Sequence, residues 1–106
     1  MKKETVGRIR KFNSDRDWDQ FHSPNNLAKT ICIEATELLE CFQWNGEKYD
    51  LKQVKDELAD VIANCQNLAD KLDLDIDEII NEKMDQNEKK YPIDKCKGKA
   101  KKYTEL

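Results

Sequence analysis

Glu34-Ala-Thr-Glu37 and Glu57-Leu-Ala-Asp60 are two acidic pairs, each spaced i, i+3 within an apolar helical pattern. That spacing sets both carboxylates of a pair side by side on one helix face. In the first segment apolar residues recur at Leu27, Ile31, Ala35, Leu38 and Phe42, and Glu34 falls inside that stripe. In the second the stripe is Val54, Leu58, Val61, Cys65, Leu68 and Leu72, and Glu57 borders it. Carboxylates at the edge of a core repel one another unless protons or cations neutralise them. If the two helices pack antiparallel, the pairs face each other and offer oxygen ligands to a hard divalent cation such as Mg²⁺. Taken singly, an acidic pair at this spacing is more often plain surface charge.

A second group of residues suits a nucleotide. Arg16-Asp-Trp18-Asp-Gln-Phe21-His22 packs two aromatics, the only histidine and an arginine into one short run, and Trp44 follows the first acidic pair. Aromatic side chains can grip a base by stacking while a cation bridges carboxylates to phosphates. Trp18, Phe21, His22 and Trp44 are therefore candidates for a base site. The competing readings are core packing for the two tryptophans and a capping or surface role for His22. Lys83, Asn87 and Lys90 follow one helix face at spacings of four and three, so they either meet phosphates or form a solvated lysine face.

The elements that must hold these residues are all helical. Val6, Ile9 and Phe12 mark an amphipathic helix over residues 1–12, which Asn13-Ser14-Asp15 is expected to break before a short turn through Trp18 and Phe21. Ser23-Pro24 supplies an N-cap and a first-turn proline for a helix over about residues 24–43, with Gly46 as the stop. Asp50-Leu-Lys-Gln53 reads as a capping-box variant opening a helix to about Leu72, and Asp75-Ile-Asp-Glu78 repeats the device for a last helix ended by Tyr91-Pro92. No segment shows strand-like alternation. The expected division is an all-α domain over residues 1–92 and a lysine-rich tail over residues 93–106 whose composition alone favours disorder.

Composition narrows the class. A chain of 106 residues with 38% hydrophobic and 39% charged residues builds a thin core, which favours an oligomer covering one helix face with another subunit. A net charge of −3 argues against a protein that coats nucleic acid polymers. No apolar run approaches the roughly 20 residues needed to cross a bilayer, and Met1-Lys2-Lys3-Glu4 does not open a secretory signal. Cys32, Cys41, Cys65 and Cys96 show no C-x-x-C pairing and read as reduced thiols, consistent with a cytoplasmic location. With one histidine and scattered thiols, a zinc site is not expected.

The ordered set Arg16-Asp-Trp-Asp-Gln-Phe-His22, Asn26-Leu-Ala, Glu34-x-x-Glu37-Leu-Leu-Glu40-x-Phe-Gln-Trp44, Glu57-Leu-Ala-Asp60-Val, Lys83-x-x-x-Asn87, Lys90-Tyr-Pro92 and Lys101-Lys-Tyr-Thr-Glu-Leu106 resembles the MazG-like all-α nucleotide pyrophosphohydrolases, in particular their dCTP pyrophosphatase branch. The resemblance runs from about Arg8 to the C-terminus. It implies a four-helix core assembling as a dimer or dimer of dimers, and Mg²⁺-dependent hydrolysis of a deoxynucleoside triphosphate to the monophosphate and pyrophosphate. By position it assigns Glu34, Glu37, Glu57 and Asp60 to the metal; from charge, one of Glu37 and Glu34 is expected to orient or deprotonate the attacking water. Trp18, Phe21, His22 and Trp44 fall to base and sugar, while lysines of the last helix or the tail are expected, on charge, to hold the departing pyrophosphate. Asn64 stands where relatives often carry a tyrosine, and Ile9 replaces a polar residue of some relatives, so base selectivity is left open. A related activity on dUTP or another nucleotide, or a helical interaction module with no catalysis, are the alternatives.

Overall fold

The computed structural model describes residues 1–44, 46–100 and 102–105. The chain is all-α: α1 (Lys3–Asp15), a 3₁₀ turn (Asp19–Phe21), α2 (Pro24–Glu40), α3 (Leu51–Lys71), α4 (Ile76–Lys90), the single-turn α5 (Ile93–Cys96) and a second 3₁₀ turn (Tyr103–Glu105). No strand occurs among the described residues. Residues 1–73 and 74–106 form two compact units.

Local chemistry explains where most helices start. Ser23 Oγ accepts the Asn26 N–H at 3.1 Å with Pro24 in the first turn, and Asp75 Oδ1 accepts the Glu78 N–H at 3.1 Å. Asp50 caps α3 through the Lys52 N–H at 3.0 Å, a tighter closure than the expected pairing with Gln53.

Two ends differ from the sequence expectation. Helix α1 does not break at Asn13 but continues to Asp15. Asn13 is buried, and its side-chain amide donates to Asn67 Oδ1 of α3 at 2.8 Å. With a distant partner, that side chain does not compete for the local backbone, which is how asparagine usually interrupts a helix. Helix α2 ends at Glu40, short of residue 43. The N–H groups of Cys41, Phe42 and Gln43 turn to carbonyls three residues back, at 3.2, 3.0 and 3.3 Å, so the chain tightens. Phe42 then meets Tyr49 at 5.0 Å between ring centroids, closing the connection to α3.

In the first unit α2 packs along α3 and α1 also touches α3. Near the connection Glu34 and Glu37 meet Glu57, while at the far end Lys71 donates to the Asp19 carbonyl at 3.2 Å, just ahead of α2. The two helices therefore run antiparallel. Leu27, 2% exposed, and Ala69 are the buried apolar residues among those described, and Asn13 and Gln66 are buried beside them. The apolar stripe expected on α3 divides between two faces. Val54, Val61 and Leu68 are half-buried, as is Glu57, whereas Leu58, Ile62, Cys65 and Leu72 are exposed. Gln66 is buried with its side-chain amide satisfied, donating to Asp70 Oδ1 at 2.8 Å. Arg10 of α1 reaches the same carboxylate through Nε at 3.0 Å and Nη2 at 2.8 Å. These bonds hold the Asp70 carboxyl below its ordinary range, Arg10 first and Gln66 adding to it against the opposing effect of burial.

In the second unit, α4 ends where the Tyr91 N–H bonds the Asn87 carbonyl at 2.8 Å, and Pro92 then begins α5. Composition gives the tail no structure, yet it folds into α5 and the last 3₁₀ turn. Tyr103 sits edge-on to Tyr91, 6.3 Å between centroids, and the Lys90 ammonium lies 5.0 Å from the Tyr103 ring centre. Lys101 and Leu106, which belong to the C-terminal part of the motif set, lie outside the described residues.

Candidate metal centre

Antiparallel packing of α2 on α3 sets the first acidic pair against the second. Glu34, Glu37 and Glu57 each present a carboxylate oxygen, and these atoms all lie within 4.8 Å of one another. Asp60 follows Glu57 by one helical turn, and its charge acts on both Glu34 and Glu57. Glu34 and Glu57 are half-buried, and Oε2 of each is buried with no hydrogen-bond partner among the described residues.

Both carboxyls are pushed above their ordinary range, by burial first and then by contact with Glu37 and the charges of Glu37 and Asp60. Two buried, unpartnered oxygens inside a like-charged cluster are an arrangement that buried polar groups otherwise avoid. A hard divalent cation accepts such oxygens and removes the repulsion, so these residues fit one. Cys41, a free thiol as expected, lies one turn beyond Glu37. Its Sγ donates to the Glu37 carbonyl at 3.6 Å, and burial, followed by the Glu57 charge, raises its thiol.

The aromatic candidates have left the core. Trp44 is 89% exposed in the connection after α2, and Trp18 and Phe21 are also exposed. Trp18 rests edge-on against Phe12 at 5.4 Å, and the Arg16 guanidinium covers the same Phe12 ring at 3.7 Å. His22 is half-buried and closes the 3₁₀ turn, its backbone N–H bonding the Asp19 carbonyl at 3.1 Å. Asn64 is half-buried on the Asp60 side of α3, donating to the Asp60 carbonyl at 2.9 Å and accepting from Asn67 at 3.4 Å. Lys83, Asn87 and Lys90 belong to the other unit, on α4; Lys83 is exposed, while Asn87 and Lys90 are half-buried.

An all-α chain with paired acids on two antiparallel helices defines a class, and residues 29–106 match the MazG-like family. The chain belongs to that family. Within it, the chain is 36% identical over 104 residues to dCTP pyrophosphatase 1 of Mus musculus, and equally identical to dCTP pyrophosphatase 1 of Homo sapiens. Each alignment covers 90% of this chain and 61% of the relative, so the chain spans about three-fifths of the length of the curated relatives it matches. A crystal structure of a pyrophosphatase from Archaeoglobus fulgidus superimposes with a TM-score of 0.79 at 37% identity, covering 84% of this chain and 90% of that one. The resemblance drawn from the motifs is thus borne out at the level of family and fold.

Proposed function

We propose that the protein is a nucleoside triphosphate pyrophosphohydrolase that converts dCTP, or a modified dCTP, to the monophosphate and pyrophosphate with Mg²⁺ as cofactor. The observation that carries this reading is the cluster of Glu34, Glu37 and Glu57 oxygens within 4.8 Å, two of them buried and unpartnered. The names of the relatives, dCTP pyrophosphatase and pyrophosphatase, support the substrate class.

Glu34, Glu37, Glu57 and Asp60 would hold the cation. When bound, it supplies charge screening for the phosphoryl oxygens and makes a water more acidic. The carboxylates themselves repel a bare triphosphate, which ties binding to charge neutralisation. Glu34 or Glu37 orients the attacking water and accepts its proton on a carboxylate oxygen. Trp18, Phe21, His22 and Trp44 are assigned to base and sugar, and Asn64 of α3 to the substrate as well. Lys83, Asn87 and Lys90 are assigned to the phosphates and the departing pyrophosphate by their charge and their spacing along one helix face.

The proposed working form is a homodimer or homotetramer. Ala28, Cys32, Ala35 and Leu39 form an exposed stripe along α2 at helical spacing, and Leu58, Ile62 and Cys65 form another along α3. Both are suited to burial against further helices.

The test is a chromatographic time course over dCTP, 5-substituted dCTP, dUTP and the other nucleoside triphosphates, with Mg²⁺ and with chelator. The expected products are dCMP and pyrophosphate, formed only with the cation and lost in a folded Asp60→Asn variant. Stepwise release of orthophosphate would contradict the pyrophosphohydrolase assignment. Faster turnover of dUTP would move the substrate to the related activity, and no turnover of any nucleotide would favour the non-catalytic module.

A further inference from the structure

Asp60, Asn64, Asn67 and Lys71 follow one another along α3 in steps of four, three and four residues, so they share one face. The first is an acid of the candidate metal centre. Of the last two, Asn67 reaches the end of α1 and Lys71 the aromatic segment that follows it. Asn67 Oδ1 accepts from the side-chain amide of Asn13 at 2.8 Å, and the Asn13 carbonyl in turn accepts the Trp18 N–H at 3.0 Å. Lys71 Nζ donates to the Asp19 carbonyl at 3.2 Å. On the other side, Asn26 in the first turn of α2 donates its amide to the Phe21 carbonyl at 3.2 Å.

The segment therefore hangs by its backbone at Trp18, Asp19 and Phe21, and each suspension point leads back to α2 or α3. Asp17, immediately before it, has a positive φ of 53°, a conformation aspartate tolerates but rarely adopts. On the Asn67 side the line continues to the acids, because Asn67 donates to Asn64 at 3.4 Å and Asn64 to the Asp60 carbonyl at 2.9 Å. A stacking platform limited to local turns would drift relative to the carboxylates, and displacements of about an ångström reduce reaction rates severely.

We propose that Asn13, Asn67, Lys71 and Asn26 are positioning residues that fix the Trp18–His22 segment at a set distance from the acid-bearing face of α3, and so match the base site to the phosphate site. The inference rests on the reading that this segment contacts base and sugar. Among the described residues the side-chain amide and ammonium bonds of these four run to one another, to Asn64 and to the carbonyls of Asp19 and Phe21, so they act on the segment through its backbone.

The test compares Asn67→Ala, Lys71→Met, Lys71→Arg and Trp18→Ala by steady-state kinetics on dCTP. It adds the fluorine spectrum of 5-fluorotryptophan-labelled protein, in which Trp18→Phe assigns the Trp18 resonance. Lys71 is exposed, so its replacement does not open the core. Asn67→Ala and Lys71→Met should each raise KM about tenfold with kcat within about twofold, and each should shift or broaden the Trp18 resonance without nucleotide. Lys71→Arg, which keeps a donor, should restore both readouts. If Trp18→Ala raises KM while Asn67→Ala and Lys71→Met change neither KM nor the resonance, the positioning role is overturned and the base-site reading survives. If Trp18→Ala leaves KM unchanged, the base-site reading fails and the inference falls with it.

Discussion

Glu34 and Glu57 make the cation-free fold sensitive to pH in the direction opposite to Asp70. Their carboxyls are raised in the folded chain, so between the unfolded value and the raised value the folded state holds more protons than the unfolded state. Stability then falls as pH rises through that window. Asp70 is lowered by Arg10, so its contribution is present above the unfolded carboxyl value and is lost as pH falls. Thermal melts in chelator should therefore show Glu34→Gln melting higher than the parent at about pH 7, with the two converging near pH 4. Melting temperatures that coincide at neutral pH would show that Glu34 is not under charge strain. The acid cluster itself was legible as residue types at helical spacing. The unequal burial of the acids was not, since it depends on how α2 and α3 pack. Glu34 is raised first by burial and then by Glu37 of its own helix, and Glu57 by burial and then by Glu37 across the interface.

At the scale of elements, the starts of α2, α3 and α4 were readable because each is written in local chemistry, at Ser23, Asp50 and Asp75. The end of α1 was not, because the Asn67 that satisfies Asn13 lies 54 positions away. The stripe on α3 divides between two faces for a similar reason, since Asp70 is turned toward α1 by Arg10, 60 positions away. In the loop after α2, Trp44 is 89% exposed and is proposed to contact the base. Trp44→Ala should leave folding intact and weaken binding of dCTP by about 1–3 kcal/mol, the usual effect of removing a base-stacking aromatic. Fluorescence titration, following Trp18 in the variant, measures it. An unchanged dissociation constant would remove Trp44 from the base site.

For the whole molecule the decisive quantity is how little apolar surface one copy hides. Leu27 and Ala69 are its buried apolar residues among those described, while Ile33, Leu39, Leu58 and Ile62 are all at least 44% exposed. A single copy with so thin an interior would sit near the limit of stability. Light scattering at micromolar concentration should give a mass of two or four chains, against 12.5 kDa for one. A single-chain mass with hydrolysis retained would overturn the proposed assembly. No helix among the described residues is long and apolar enough to cross a membrane.

The bonds that tie α1 to α3 span 60 positions at Arg10–Asp70 and 54 at Asn13–Asn67, whereas α2 and α3 are consecutive. Distant closures are entropically later than near ones, so the α2–α3 hairpin should form first and α1 should dock onto a finished surface. The same order run backwards makes α1 the part that opens most readily under native conditions. Amide hydrogen exchange followed by mass spectrometry should show α1 exchanging ahead of α2 and α3, and Arg10→Ala should hasten α1 alone. Equal protection of all three helices would mean that the unit opens only as a whole.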